Sequence, residues 1–135
     1  MTAWTSKELE KIGAAEELRI ASVGRDGTLR SPVTIWVVRH GNELYVRSAY
    51  GRTSTWFHGT QERHEGHIRA GGVEKDVSFL DADHDVDDQI DAAYRSKYRR
   101  YGARYVDPMV SPRARGATIR LAPRSQSRPP RSARR

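Results

Sequence analysis

The chain contains no cysteine, which excludes disulfides, thiolate metal sites and a cysteine nucleophile. No apolar run approaches a membrane span, and the start MTAWTSKELE lacks an apolar core of signal-peptide length, so a cytoplasmic protein with no membrane partner is expected. No serine stands in a nucleophile-elbow pattern, and no pair of carboxylates is singled out for acid–base work. His58, His64 and His67 straddle Gly66 without the i, i+4 spacing of a helical zinc motif, so no metal site is expected. These absences argue against a hydrolase that relies on its own side chains. Any chemistry is expected to come from a bound cofactor.

With 135 residues the chain supports one domain around one sizeable core. Its net charge of +7 looks like a nucleic-acid signal until the charge is located. Five arginines and no acids lie beyond residue 121, which leaves +2 for residues 1–121. The body therefore does not read as a nucleic-acid binder, and weak phosphate contacts are expected only from the tail. Beyond Pro123 the segment RSQSRPPRSARR has, proline aside, no apolar side chain larger than alanine, and 122–135 is expected to be a disordered tail on a single domain of residues 1–121.

Thr5 and Glu8 form a capping box that opens a helix ending near Gly13. A strand over 17–23 follows, closed by an Asp26-Gly27 hairpin turn. The next run, 29–39, is rich in β-branched residues and reads as one long strand buried on both faces. A turn at 40–42 leads to a strand from Leu44, and residues 56–65 read as a short helix ended by Gly66. Strands at 67–70 and 73–80 flank Gly71-Gly72, with Lys75 in apolar register and expected to reach water from an edge. Residues 81–91 superficially resemble a calcium loop, but Val86 and Ala92 replace its glycine and closing glutamate. They read instead as the acidic start of a helix whose basic end reaches Arg100. A last strand is expected at 117–121.

The most informative stretch is LYVRSAYGRTSTW, residues 44–56. A short strand runs into a loop holding Arg47, Ser48, Tyr50, Arg52, Thr53 and Ser54, immediately ahead of a helix. Hydroxyls at a helix start satisfy its free N–H groups, the helix end attracts anions, and arginine forks fit phosphate. The loop therefore reads either as a phosphate pocket or as an ordinary capped helix start with solvated arginines.

RSPVTIWVV, ELYVRSAYG, SAYGRTSTWFHG, HIRAGG and SPRARGATIRLAP follow one another in an order that resembles the flavin-binding split β-barrels. Within that group, which includes the pyridoxamine-phosphate-oxidase-like proteins, the chain is most similar to the deazaflavin-dependent nitroreductases. As a whole it resembles an uncharacterised bacterial domain family of the same superfamily. The resemblance, over residues 15–121, implies an α+β fold: a split β-barrel of about six antiparallel strands with a few short flanking helices. It places Arg30 and Pro32 against a cofactor, the loop of Arg47, Ser48, Tyr50, Arg52, Thr53 and Ser54 on its phosphate, and Trp36 or Trp56 over its ring. Phe57 falls on the family's second aromatic position, and Tyr98, Tyr101 and Tyr105 on the substrate side. It implies FMN or a deazaflavin, a small organic substrate, oxidoreductase chemistry and a homodimer. The alternatives are a barrel that has lost its cofactor and binds a ligand or partner without catalysis, and simple helix packing for the tyrosines. Two features depart from the nitroreductases: Gly59-Thr60 replaces their asparagine-leucine, and their glycine-rich basic loop is shortened to GRDGTLR.

Overall fold

A computed structural model describes residues 3–124. The architecture is α+β, built on one antiparallel sheet of seven strands in the order β2-β1-β5-β6-β7-β4-β3. The strands are β1 (Leu18–Ser22), β2 (Val33–Ile35), β3 (Val38–His40), β4 (Glu43–Arg47), β5 (Glu65–Ala70), β6 (Val73–Asp81) and β7 (Thr118–Pro123). The helices are α1 (Ser6–Ala14), α2 (Thr55–Arg63), α3 (Asp87–Tyr98), α4 (Ala103–Val106) and α5 (Pro112–Arg115), with single 3₁₀ turns between several of them.

The two edge strands are consecutive in the chain. Only Trp36 and Val37 separate β2 from β3, so the edges lie within about 11 Å of each other, three Cα–Cα steps. The sheet must therefore curl into a split barrel, with its seam at those two residues. This corrects the single long strand expected over 29–39. The run breaks because it changes sheet edge, and Val33 and Thr34 are exposed rather than buried on both faces.

Two apolar clusters follow from the curl. Inside the barrel, Leu18, Ile20, Leu44, Val46, Ile68, Val77, Phe79, Ile119 and Leu121 pack with Leu9 and Ile12 of α1 and Phe57 of α2. Outside it, Val38 and Tyr45 pack against Ile90, Tyr94 and Tyr98 of α3. Strand alternation sends Leu44 and Val46 inward and Tyr45 and Arg47 outward beneath α3.

Local expectations hold where they rest on local chemistry. The capping box forms, with Glu8 N donating to Thr5 Oγ1 (3.1 Å) and Thr5 N donating to Glu8 Oε1 (2.9 Å). The Asp26 carboxylate accepts from Thr28 N, and Gly27 takes φ 86°, as the tight turn requires. Lys75 is different: β6 lies between β5 and β7, and the ammonium reaches Glu8 of α1 at 3.0 Å instead of water. Nor does Gly66 end α2. His64 does so in the left-handed conformation (φ 56°), while Gly66 sits in β5 where a Cβ would overlap the Ala21 carbonyl. At the far end β7 continues through Pro123, two residues past the last strand expected at 117–121, and Arg124 donates its backbone N–H to Asp76 O and pairs with Glu65. The rest of the expected tail lies outside the described residues.

Candidate functional site

The loop expected to grip phosphate is largely consumed by the fold. Arg47 is 1% exposed, and its donors are engaged by protein. Nε donates to Thr118 Oγ1 (2.8 Å), Nη1 to Asp91 Oδ1 (2.5 Å) and Met109 O (3.0 Å), and Nη2 to Asp87 O (3.3 Å). Asp91, 3% exposed in its side chain, is also held by Arg115. Burial pushes the Asp91 carboxyl up, but the hydrogen bonds from Arg115 and Arg47 outweigh it and hold it below the ordinary carboxylate range. This ion network ties β4, α3, α5 and β7 together, which corrects the expectation that Arg47 faces a ligand.

Its neighbours Arg52 and Thr53 stay exposed but also bond to the protein. Arg52 donates to Gly116 O (2.9 Å) and lies over the Phe57 ring, and Thr53 donates to Tyr50 O (3.2 Å). Ser48 and Ser54 share a hydrogen bond between hydroxyls (2.7 Å), so no side chain caps α2. The ring of Tyr50 is exposed. Of the substrate-side tyrosines, Tyr98 is buried. Its hydroxyl donates to Glu16 O (2.7 Å), and its ring stacks on Trp36 at 3.9 Å with an interplanar angle of 2°. Burial raises its phenol to about 12. Trp36 and Tyr98 thus brace the barrel seam. Tyr101 tilts against Trp36, and Tyr105 is exposed.

The cleft lies elsewhere, around Arg30. Between Ile20 and Val33 the two strands are in register, yet Val23 bridges Leu29, so four steps on one strand oppose three on the other. The extra residue is a β-bulge at 30–32, and Pro32, which has no N–H to give a ladder, stands in it. The bulge turns Arg30 towards α2. There Nη1 donates to Ser22 Oγ (3.2 Å) and Nη2 to Glu62 Oε1 (2.5 Å). α2 approaches closely because of Gly59, where a Cβ would stand 2.5 Å from Ser22 Oγ and 3.0 Å from Arg30 Nη1.

The result is an apolar cleft of about 130 Å³ lined by Ile20, Ser22, Arg30, Val33, Thr55 and Trp56 among others. Beside it, a wider polar cleft of about 630 Å³ runs past Gly24, Arg25, Thr28 and Glu62, and Arg30 lines both. Arg30 and Trp56 of the expected set are thus brought together, with Pro32 adjacent in the bulge. Ser22 and Glu62 carry no local sequence signal of this role, and Gly59 stands out in the sequence as a departure from the nitroreductase pattern. A glycine in mid-helix was the available signal, since it costs about 1 kcal/mol unless close packing requires it.

A curled antiparallel sheet with its seam closed by two residues and short helices outside it defines a split β-barrel. The same architecture is found in the conserved hypothetical protein Rv2991 from Mycobacterium tuberculosis, with a TM-score of 0.60 and 14% identity over 90% of this chain and 82% of that one. It is found too in HutZ, the heme storage protein from Vibrio cholerae, with a TM-score of 0.60 and 12% identity over 89% and 90%. A protein described as an F420 reductase matches with a TM-score of 0.53 and 16% identity over 87% and 93%. At these identities the likeness is one of fold. No curated protein matches the chain in sequence. The family described as "Uncharacterized protein conserved in bacteria (DUF2255)" matches residues 8–121, and the chain belongs to it. No helix among the described residues is long and apolar enough to cross a membrane.

Proposed function

We propose that the protein is a cytoplasmic oxidoreductase that uses FMN or a deazaflavin on a small organic substrate, as a homodimer. The observation that carries this reading is the apolar cleft beneath Trp56, opening beside Arg30 and the uncapped first turn of α2. The donor set fits such a group. Trp56, Ile20 and Val33 offer apolar surface to a planar ring, while Arg30 and the free N–H groups of α2 suit an anionic oxygen. The neighbour described as an F420 reductase supports the same reading. When bound, the cofactor supplies hydride transfer to or from a small acceptor. The chain's own part is to orient it. Arg30 is positioned by its hydrogen bond to Ser22, Gly59 keeps α2 against β1, and Trp56 excludes water from one side.

A second reading is a barrel that binds a ligand without catalysis. It is favoured by the 2.5 Å contact of Arg30 with Glu62, which already neutralises the arginine, and by the neighbour described as a heme storage protein. The absorbance spectrum of freshly purified protein, followed by titration with FMN and with deazaflavin, tests the first reading. A colourless protein that takes up neither would overturn it. Substrate-dependent reduction of a bound cofactor separates the two readings, and sedimentation velocity tests the dimer.

A further inference from the structure

The outer face of β1, β5 and β6 carries a separate arrangement of charge. In an antiparallel pair, residues directly opposite project to the same face, and like charges placed so repel. Arg19 of β1 stands directly opposite Arg69 of β5. Outward from this pair the row continues with Thr34 beside Arg19 and Glu74 beside Arg69. Two residues along, in the next row of the same face, Ala21 stands opposite His67, with Asp76 beyond.

The second row is balanced. His67 places Nδ1 3.1 Å from Asp76 Oδ1 and Nε2 3.1 Å from Glu74 Oε1. In the first row Arg69 has Glu74 at 3.7 Å, but Arg19 has no carboxylate within ion-pair distance among the described residues. A strand pair gains nothing from two facing arginines. Facing each other, they are stabilised when a further anion lies between them.

There is a place for one. A cleft of about 180 Å³ is lined by Arg19, Arg69 and Arg30 together with Ala21, Leu29 and Pro32, and towards β6 by His67 and Glu74, whose carboxylate is shared between His67 and Arg69 and leaves Arg19 as the open cation among the described residues. The small Ala21 leaves its floor low, and Leu29, 43% exposed, supplies an apolar wall. Alternation along β1 puts this cleft on the opposite face from the one beneath Trp56, which Ile20 and Ser22 line. Arg30 rims both.

We propose that this outer cleft binds a small organic oxyanion, a carboxylate or phosphate monoester with an apolar body. Arg19 and Arg69 take the anionic head, whose planar or tetrahedral oxygens suit guanidinium forks, and Leu29, Pro32 and Ala21 take the body. The site uses no cofactor and stands whether or not the cleft beneath Trp56 binds a flavin.

The test is thermal unfolding of the full chain at constant ionic strength with phenyl phosphate and with benzoate. Inorganic phosphate serves as the head alone, and benzyl alcohol as the uncharged body. Binding to the folded state raises the melting temperature in proportion to the logarithm of ligand concentration. Phenyl phosphate or benzoate should raise it at millimolar concentration, inorganic phosphate less, and benzyl alcohol not at all. Arg19→Gln should weaken the apparent affinity at least tenfold. Without ligand it should melt no lower than the wild-type protein, because the facing charges have been relieved. Arg95→Gln, which removes an exposed arginine elsewhere, should respond as wild type. An equal response from Arg19→Gln, a wild-type response no greater than that to added sodium chloride, or a lower ligand-free melting temperature in Arg19→Gln would each overturn the assignment.

Discussion

Replacing Arg47 by methionine separates the two roles that residue has been given. The side chain is 1% exposed, so the methionine keeps most of the buried stem while removing every donor. Removing one partner of a buried ion pair costs about 3–5 kcal/mol, because the remaining groups lose their partners in a medium that cannot hydrate them. Here the lower end of that range applies. Arg115 still holds Asp91, so the carboxylate is not orphaned, but Met109 O and Asp87 O lose their donors. The expected loss is therefore about 3 kcal/mol, a large share of the roughly 5–15 kcal/mol that stabilises a domain.

Equilibrium urea unfolding at neutral pH measures it. A cycle with Asp91→Leu should show coupling of about 2 kcal/mol, since the double variant leaves less unpaired charge than either single one. The pH dependence follows from the sign of the Asp91 shift. Its carboxyl is held below the ordinary value in the folded protein. Its contribution is therefore complete above the unfolded carboxylate range and is lost as pH falls through the folded value. The gap between wild type and Arg47→Met should stay constant down to about pH 4 and narrow below it. A loss under about 1 kcal/mol would refute the structural role. So would a stable Arg47→Met protein that had lost affinity for flavin phosphate.

Gly59→Ala should gain about 1 kcal/mol of helix propensity and lose about 1–3 to overpacking against Ser22 and Arg30. The net result is a modest drop in the urea midpoint together with weaker cofactor uptake. Trp56→Ala should leave the fold intact and reduce flavin affinity by about tenfold or more, read from fluorescence quenching on titration. Unchanged affinity would remove Trp56 from the site. Glu62→Gln frees Arg30 and Arg25 from their shared carboxylate and should tighten binding of the phosphate-bearing cofactor by about threefold, whereas weaker binding would make Glu62 a positioning residue instead. Burial lowers the Lys97 ammonium to about 8 where it donates to Val37 O at 2.7 Å. The folded protein thus disfavours the charged form, and stability should rise as pH climbs from about 8 towards 10, a rise that Lys97→Met should lack. Parallel urea midpoints for the two proteins between pH 7 and 9.5 would contradict this.

What could be read from the sequence was what depends on neighbours in the chain. The Thr5–Glu8 capping box, the Asp26-Gly27 turn, the Gly71-Gly72 hairpin and the last strand each rest on a few adjacent residues, and each stands in the fold. The order of elements carried the barrel itself. What could not be read depends on closure. Residues 29–39 have the composition of one strand, and only the meeting of the sheet's edges requires a break at Trp36 and Val37. His64 ends α2 because the chain must turn into β5, where Gly66 meets the Ala21 carbonyl. Lys75 looked like an edge residue because its partner Glu8 is 67 positions away.

The loop at 47–56 has the composition of a phosphate grip, yet the cleft forms at Arg30. Arginines and hydroxyls before a helix satisfy two different needs, holding an anion or sealing the open end of a barrel, and local composition does not distinguish them. Register does. Arg47 lies two residues beyond Tyr45 on the outward face of β4, the face that α3 covers, so a guanidinium there is buried before any ligand arrives. The complementary signal lies on α3, where Asp87 and Asp91 fall in line with Tyr94 and Tyr98 on the helix's buried side. Opposite charges on two covered faces have to meet each other. Arg30, by contrast, sits in a bulge that removes it from the ladder, and its side chain remains 42% exposed. A residue that has left the register of its strand can turn towards a ligand, and in this barrel the bulge at 30–32 is what makes Arg30 the centre of the clefts.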